Sequence, residues 1–186
     1  MSDSLDRVLD DLDDLHRRVD SRFRATLAAV GAPPGCGSGC SCCCVDDLTV
    51  WQVEARAIER WLQASAAAGG PPPTPGPAGA CAFLAAGLCQ IYPARPYVCR
   101  SQGAVLRWFE GDDEPSDSVE RRDTCSEHLQ QVRLDLLPAQ ALFLIGPAES
   151  ELVGLATRQL AASGGRGLPG RVTLRDLARL YGTGGS

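Results

Sequence analysis

The chain has no lysine and no asparagine; all 18 of its basic residues are arginine. The coding bias of a GC-rich, bacterial type of genome accounts for both absences, and neither bears on function. Aromatic residues make up only 5%, so a core has to be built from Leu, Val and Ala. The hydrophobic fraction of 44% over 186 residues still allows a real core. That length suits one domain with extended ends, or two small lobes. No basic stripe is present and the net charge is −5, which argues against a nucleic-acid partner, because phosphates would go unneutralised. No apolar run approaches the length of a transmembrane helix, so no membrane partner is expected. The opening residues, MSDSLDRVLDDLDDL, lack the basic and apolar regions of a secretory signal. The expected location is the cytoplasm. No Ser/His/Asp arrangement, phosphate-cradling glycine loop or paired-carboxylate site stands out.

What the chain has in quantity is cysteine, nine in all. Cys36, Cys40, Cys42, Cys43 and Cys44 crowd into one short segment. Cys81, Cys89 and Cys99 form a second group, and Cys125 follows alone. In a reducing compartment such clusters mean metal or redox chemistry, and an odd count sits poorly with a paired disulfide framework. Thiolates are soft ligands for zinc, copper(I) and iron–sulfur clusters. An inert buried thiol explains any one of these cysteines but not the set. Side chains of neighbours such as Cys43 and Cys44 usually diverge. The pair is therefore expected to be shared between two nearby sites, or to bridge a multinuclear one. Eight sulfurs would suit two four-ligand sites. Cys36, Cys40 and Cys43 also share a spacing with radical-SAM enzymes, but this chain has neither the length nor the strand–helix alternation of their barrel.

Around the cysteines the pattern is mainly α, a small helical domain organised around irregular metal-binding loops. Leu5, Val8, Leu12, Leu15 and Val19, continued by Phe23, Leu27 and Val30, predict an amphipathic helix over residues 4–30 within an N-terminal segment 1–34. Ser4 caps it, and Gly31, Pro33 and Pro34 stop it. It is expected to pack on its own domain, although it is also the element through which a protein partner would be reached. Thr49 and Gln52 read as a capping box, with Leu48 and Val53 as a staple, opening a helix that buries Trp51, Ala55, Ile58 and Leu62. A Pro/Gly-rich loop spans 69–79 inside a cysteine domain over 35–130. Residues 104–109 suggest one short strand, and 112–117 an acidic exposed loop. A C-terminal helical segment, 131–186, holds a helix from Pro147 to about Ala162 and a short one capped by Thr173 and Asp176.

The order C-x3-C-x2-CC, then C-x-F-L, then C-x-I-Y-x-x-R-P-x-x-C-R resembles the zinc- or iron-chelating cysteine-cluster family known as the YkgJ family. Cys36, Cys40, Cys43 and Cys44 carry the match, with Leu48, Thr49 and Glu54. Cys81, Phe83, Leu84, Cys89, Ile91, Tyr92, Arg95, Pro96, Cys99 and Arg100 continue it. The resemblance implies that the metal ligands are Cys36, Cys40, Cys43, Cys44, Cys81, Cys89 and Cys99, with Cys125 as the eighth. The cofactor would be an iron–sulfur cluster or zinc. Cys42 is extra to the pattern and is expected to be dispensable. Ala82 stands where the family usually shows proline. Some relatives are associated with flagellin lysine methylation, but no cofactor-binding motif here supports carrying that over.

Arg95 and Arg100 flank the second group, where their guanidinium groups could offset thiolate charge; the alternative is pairing with surface carboxylates. His128, in C-x2-H with Cys125, is expected to face solvent, and His16 to be inert. Glu54 reads as helix surface. The expected function is metal binding by clustered thiolates, in metal handling, electron transfer or an accessory role. The alternatives are an enzyme using the metal site, redox or protein-modifying methyltransferase, and a purely structural zinc domain. Both cysteine groups are expected to meet in space.

Overall fold

The computed structural model describes residues 2–31, 39–111, 118–125, 127, 129 and 132–182. Cys36, His128 and the acidic loop at 112–117 lie outside them. Along the chain come α1 (Ser2–Val30), β1 (Thr49–Trp51), α2 (Gln52–Ala67), β2 (Leu84–Ala85), β3 (Leu88–Cys89), α3 (Tyr97–Ser101), β4 (Leu106–Glu110), β5 (Val119–Asp123), β6 (Phe143–Leu144), α4 (Gly146–Ala162), β7 (Arg171–Thr173) and α5 (Leu174–Tyr181). Helix dominates at 51% of the described residues, but 15% are strand, so the mainly α expectation holds only in part.

Among the described residues the strands form three small sheets. β1 pairs with β7, β2 with β3, and β4 lies between antiparallel β5 and parallel β6. Strands of two to five residues carry too short an alternation to be read from sequence.

The predicted stripe of α1 is buried at Val8, Leu12, Leu15, Val19 and Leu27, joined by Leu9. It packs against α2, α3 and α4 of the same chain. Its exposed charges also pair with the neighbouring helices: Arg60 on α2 meets Asp10 and Asp13, and Arg158 on α4 meets Asp11. The helix stops at Gly31, whose φ of +71° suits a residue without Cβ.

The start of α2 differs from the expectation. Thr49, Val50 and Trp51 pair as a strand with Thr173, Val172 and Arg171, so the helix begins at Gln52. The carboxylate of the capping arrangement is Glu54, whose Oε2 accepts the Trp51 N–H at 3.1 Å. A strand partner so distant in sequence leaves no local signal. Ala55, Ile58 and Leu62 are buried as expected.

Two apolar clusters result. One gathers α1 and α4 around Leu12, Leu15, Phe143, Leu152 and Leu155. The other joins Val50, Ile58 and Leu62 to Phe83, Ile91, Leu174 and Leu177, with Cys44, Cys81 and Cys89 among them.

Candidate metal centre

The two cysteine groups meet, as expected. The Cys81 N–H donates to the Cys44 carbonyl at 2.8 Å, and Val45 bridges Ala80 beside it. Asp46 and Arg175 clamp the junction: the guanidinium holds the Asp46 carboxylate and the Ala80 carbonyl. That guanidinium holds the Asp46 carboxyl below its usual range.

Each later cysteine is set by a local device. Cys89 ends a tight hairpin whose two loop residues, Ala86 and Gly87, have φ of 49° and 75°, the pattern of a two-residue primed turn. Cys99 sits in the first turn of α3, which Pro96 opens. The Pro-rich stretch before Cys81 is a strap rather than a linker. Thr74 and Gln90 exchange hydrogen bonds, and Gly76 N–H donates to Ala82 O at 2.9 Å. A Cβ on Gly76 would lie 2.2 Å from the Cys81 carbonyl, so the strap fits only as glycine. Cys125 follows β5, where Thr124 Oγ1 donates to Ala104 O at 3.3 Å.

Six sulfur-bearing residues, Cys40, Cys43, Cys44, Cys81, Cys89 and Cys99, line one cavity of about 530 Å³. Phe23, Leu48, Ile91 and Val98 supply apolar wall, and Arg95 and Arg100 also border it. Burial is the first cause that raises the thiol pKa of Cys43, Cys44, Cys81, Cys89 and Cys99, that of Cys43 to about 11. Mutual repulsion adds to it: Cys44 feels Cys81 and Cys89, while Cys43 feels Cys44 and Cys125. Two backbone amides act the other way. The backbone amide of Phe83 lowers the Cys81 thiol and that of Ile91 the Cys89 thiol, each favouring thiolate.

The donor set fits a thiophilic metal. Crowded, buried thiols are costly to ionise alone, and a cation reverses that cost. Among the described residues no three donors already stand in a closed coordination shell, so binding has to draw sulfurs together. Cys125 lies off the cavity wall, but its sulfur is 3.4 Å from that of Cys42.

Both arginines pair with a carboxylate, and one of them, Arg95, is also within electrostatic reach of a thiol. Arg95 and Arg100 pair with one carboxylate, Asp20 of α1, at 3.3 and 2.6 Å. Arg100 also donates to the carbonyls of Arg95 and Pro93, and Arg95 lies over the Tyr92 ring at 4.1 Å. Arg95 still reaches Cys89 electrostatically, lowering its thiol against the effect of burial.

One residue read as bland is not. Glu54 is 3% exposed rather than helix surface. Its Oε1 accepts the Tyr97 N–H at 2.8 Å, so one carboxylate ties the start of α2 to the start of α3, which carries Cys99. His16 is buried beside it, its Nε2 3.9 Å from Glu54 Oε1 and without a hydrogen-bond partner among the described residues. A carboxylate in the third position of a helix was the available signal for Glu54; nothing local marked His16.

Sulfur donors from distant segments converging on one cavity are the mark of a thiolate metal-binding protein. A family model described as a zinc- or iron-chelating domain, with the signature CxxCxxCC, matches residues 35–127, and the chain belongs to that family. The chain departs from the signature in having three residues between Cys36 and Cys40, and in adding Cys42. No curated protein matches the chain. No solved structure matches it either.

Proposed function

We propose that this protein holds an iron–sulfur cluster, zinc, or one of each, through the thiolates of Cys36, Cys40, Cys43, Cys44, Cys81, Cys89, Cys99 and Cys125, in metal handling, electron transfer or an accessory role. The observation that carries this reading is the cavity that six of these cysteines line. Cys44, Cys81, Cys89 and Cys99 are its inner set. When bound, zinc would fix the loops as a closed-shell ion, and an iron–sulfur cluster would add one-electron chemistry. The chain's own residues supply the soft donors, the two amides that stabilise thiolate, and an apolar wall. Arg95 contributes positive charge near Cys89.

Anaerobic purification with metal analysis and a visible spectrum tests this. A brown protein with iron and sulfide supports a cluster; a colourless protein with stoichiometric zinc supports the structural site. Cys99→Ser and Cys89→Ser should each lose metal and solubility together. Full metal content in both variants would refute the assignment.

A further inference from the structure

We propose that Cys42, the cysteine added to the family signature, is a metal ligand, and that with Cys40 and Cys125 it forms a second, outer site for a soft divalent ion, probed as zinc. This rests on the reading of the chain as a thiolate metal protein and changes which sulfurs it uses. The Cys42 sulfur lies 3.4 Å from Cys125 and 3.8 Å from Cys40. Zinc–thiolate bonds of about 2.3 Å in a tetrahedron set sulfur–sulfur edges of about 3.8 Å. Both observed edges are near that value, so metal binding has chiefly to draw Cys40 and Cys125 together about Cys42.

The local fold holds these sulfurs where they are. A turn closed by Cys44 N–H on the Ser41 carbonyl at 2.9 Å spans Cys42. Cys125 is delivered by β5, which stays in register with β4 up to Asp123 opposite Leu106. Two segments 83 residues apart are thus brought sulfur to sulfur.

This outer set differs from the inner one in surroundings. Cys40 and Cys42 are exposed and Cys125 is half-buried, whereas Cys81 is buried. Cys42 and Cys125 are not part of the inner cavity wall. Three thiolates leave a fourth position for solvent or Cys43, so the outer ion should exchange faster than one among Cys44, Cys81, Cys89 and Cys99. Zinc entering as the divalent ion displaces thiol protons to solvent; no sulfur is oxidised.

The test uses the full chain purified without oxygen, made metal-free and reloaded with zinc. Total metal and its release to a chromogenic chelator are measured for the parent, Cys42→Ser, Cys125→Ser and Cys99→Ser, with circular dichroism to confirm folding. Cys42→Ser and Cys125→Ser should each lose the fast-released fraction, about one zinc per chain, and keep the slow one. Parent-like content and release in Cys42→Ser would overturn the proposal. So would a Cys42–Cys125 disulfide in the anaerobic parent protein, or loss of both fractions in Cys99→Ser, which would mean one shared centre. Retention of both fractions in Cys99→Ser would refute the inner assignment above, while the Cys42 variant would still decide this one. Should Cys42→Ser misfold, Cys42→Ala gives the same reading.

Discussion

The molecule's two apolar clusters are built on different terms. The cluster between α1 and α4 is made chiefly of Leu and Val from long, periodic helices, with Phe143 added from β6. The cluster around Phe83 draws on α2 and α5 but also takes in three cysteines, carried by turns, two-residue strands and a strap. A thiol counts as apolar only while protonated. The first cluster therefore holds its shape through area buried, and the second holds it conditionally, through the state of its sulfurs.

Removing the metal should produce the largest effect. Structural thiolate sites can contribute folding free energy of about 10 kcal/mol or more. In the metal-free protein, amide exchange should rise by orders of magnitude over residues 39–48 and 80–99 while α1 and α4 stay protected. The pH dependence should then change sign between the two forms. The metal-free thiols of Cys42, Cys43, Cys44, Cys81, Cys89 and Cys99 sit above their ordinary value of 9.0, that of Cys43 at about 11 and that of Cys42 at about 12. Raised values mean that their contribution to stability is present below pH 9.0 and is lost as pH climbs from there toward those values. In the loaded protein protons compete with metal, so stability is lost as pH falls. Thermal unfolding of both forms across the neutral and alkaline range checks this; parallel curves would mean that these thiols are not ligands.

Leu12→Ala comes next. Leu12 is fully buried in the α1–α4 cluster, and a leucine-to-alanine cavity costs about 2–5 kcal/mol. Urea unfolding should show the same loss with and without metal. A loss that depends on metal would show that the two clusters are one cooperative core.

How much of this was legible follows the same division. The α1 stripe could be read because three- and four-residue spacing is a local signal repeated over many turns. α4 and the cap of α5 at Thr173 were legible for the same reason: their signals, Pro147 and the Asp176 N–H on Thr173 Oγ1, lie within one turn. The convergence of the cysteine groups was legible from composition, since neither group alone fills two sites. What escaped depends on partners far away. Thr49 looked like a cap because Arg171 is 122 residues off. Glu54 looked like surface because its second partner is the Tyr97 amide. The contact between Cys42 and Cys125 escaped because it forms only after β4 and β5 pair.

Glu54→Gln sharpens the comparison, because Glu54 joins the two halves. Its carboxylate accepts from both Trp51 and Tyr97; an amide keeps one acceptor and turns a donor toward the other N–H. The expected loss is about 1–3 kcal/mol, with weaker metal retention as α3 and Cys99 loosen. Unchanged stability and unchanged metal competition would show that the joint is incidental.

The smallest effect should come from Arg158→Ala. Arg158 on α4 donates to Asp11 on α1 at 2.6 Å, but both side chains are about half exposed. Such a pair gains little Coulomb energy in water, and ordering two long side chains offsets much of it, leaving about 0.2–1 kcal/mol. A double-mutant cycle with Asp11→Ala should give a coupling in that range, fading at high salt and indifferent to metal. If α1 were held to α4 by charge rather than by Leu12, Leu152 and Leu155, the coupling would exceed this range and Leu12→Ala would cost little. The two measurements together decide whether the first half of the molecule stands on burial alone.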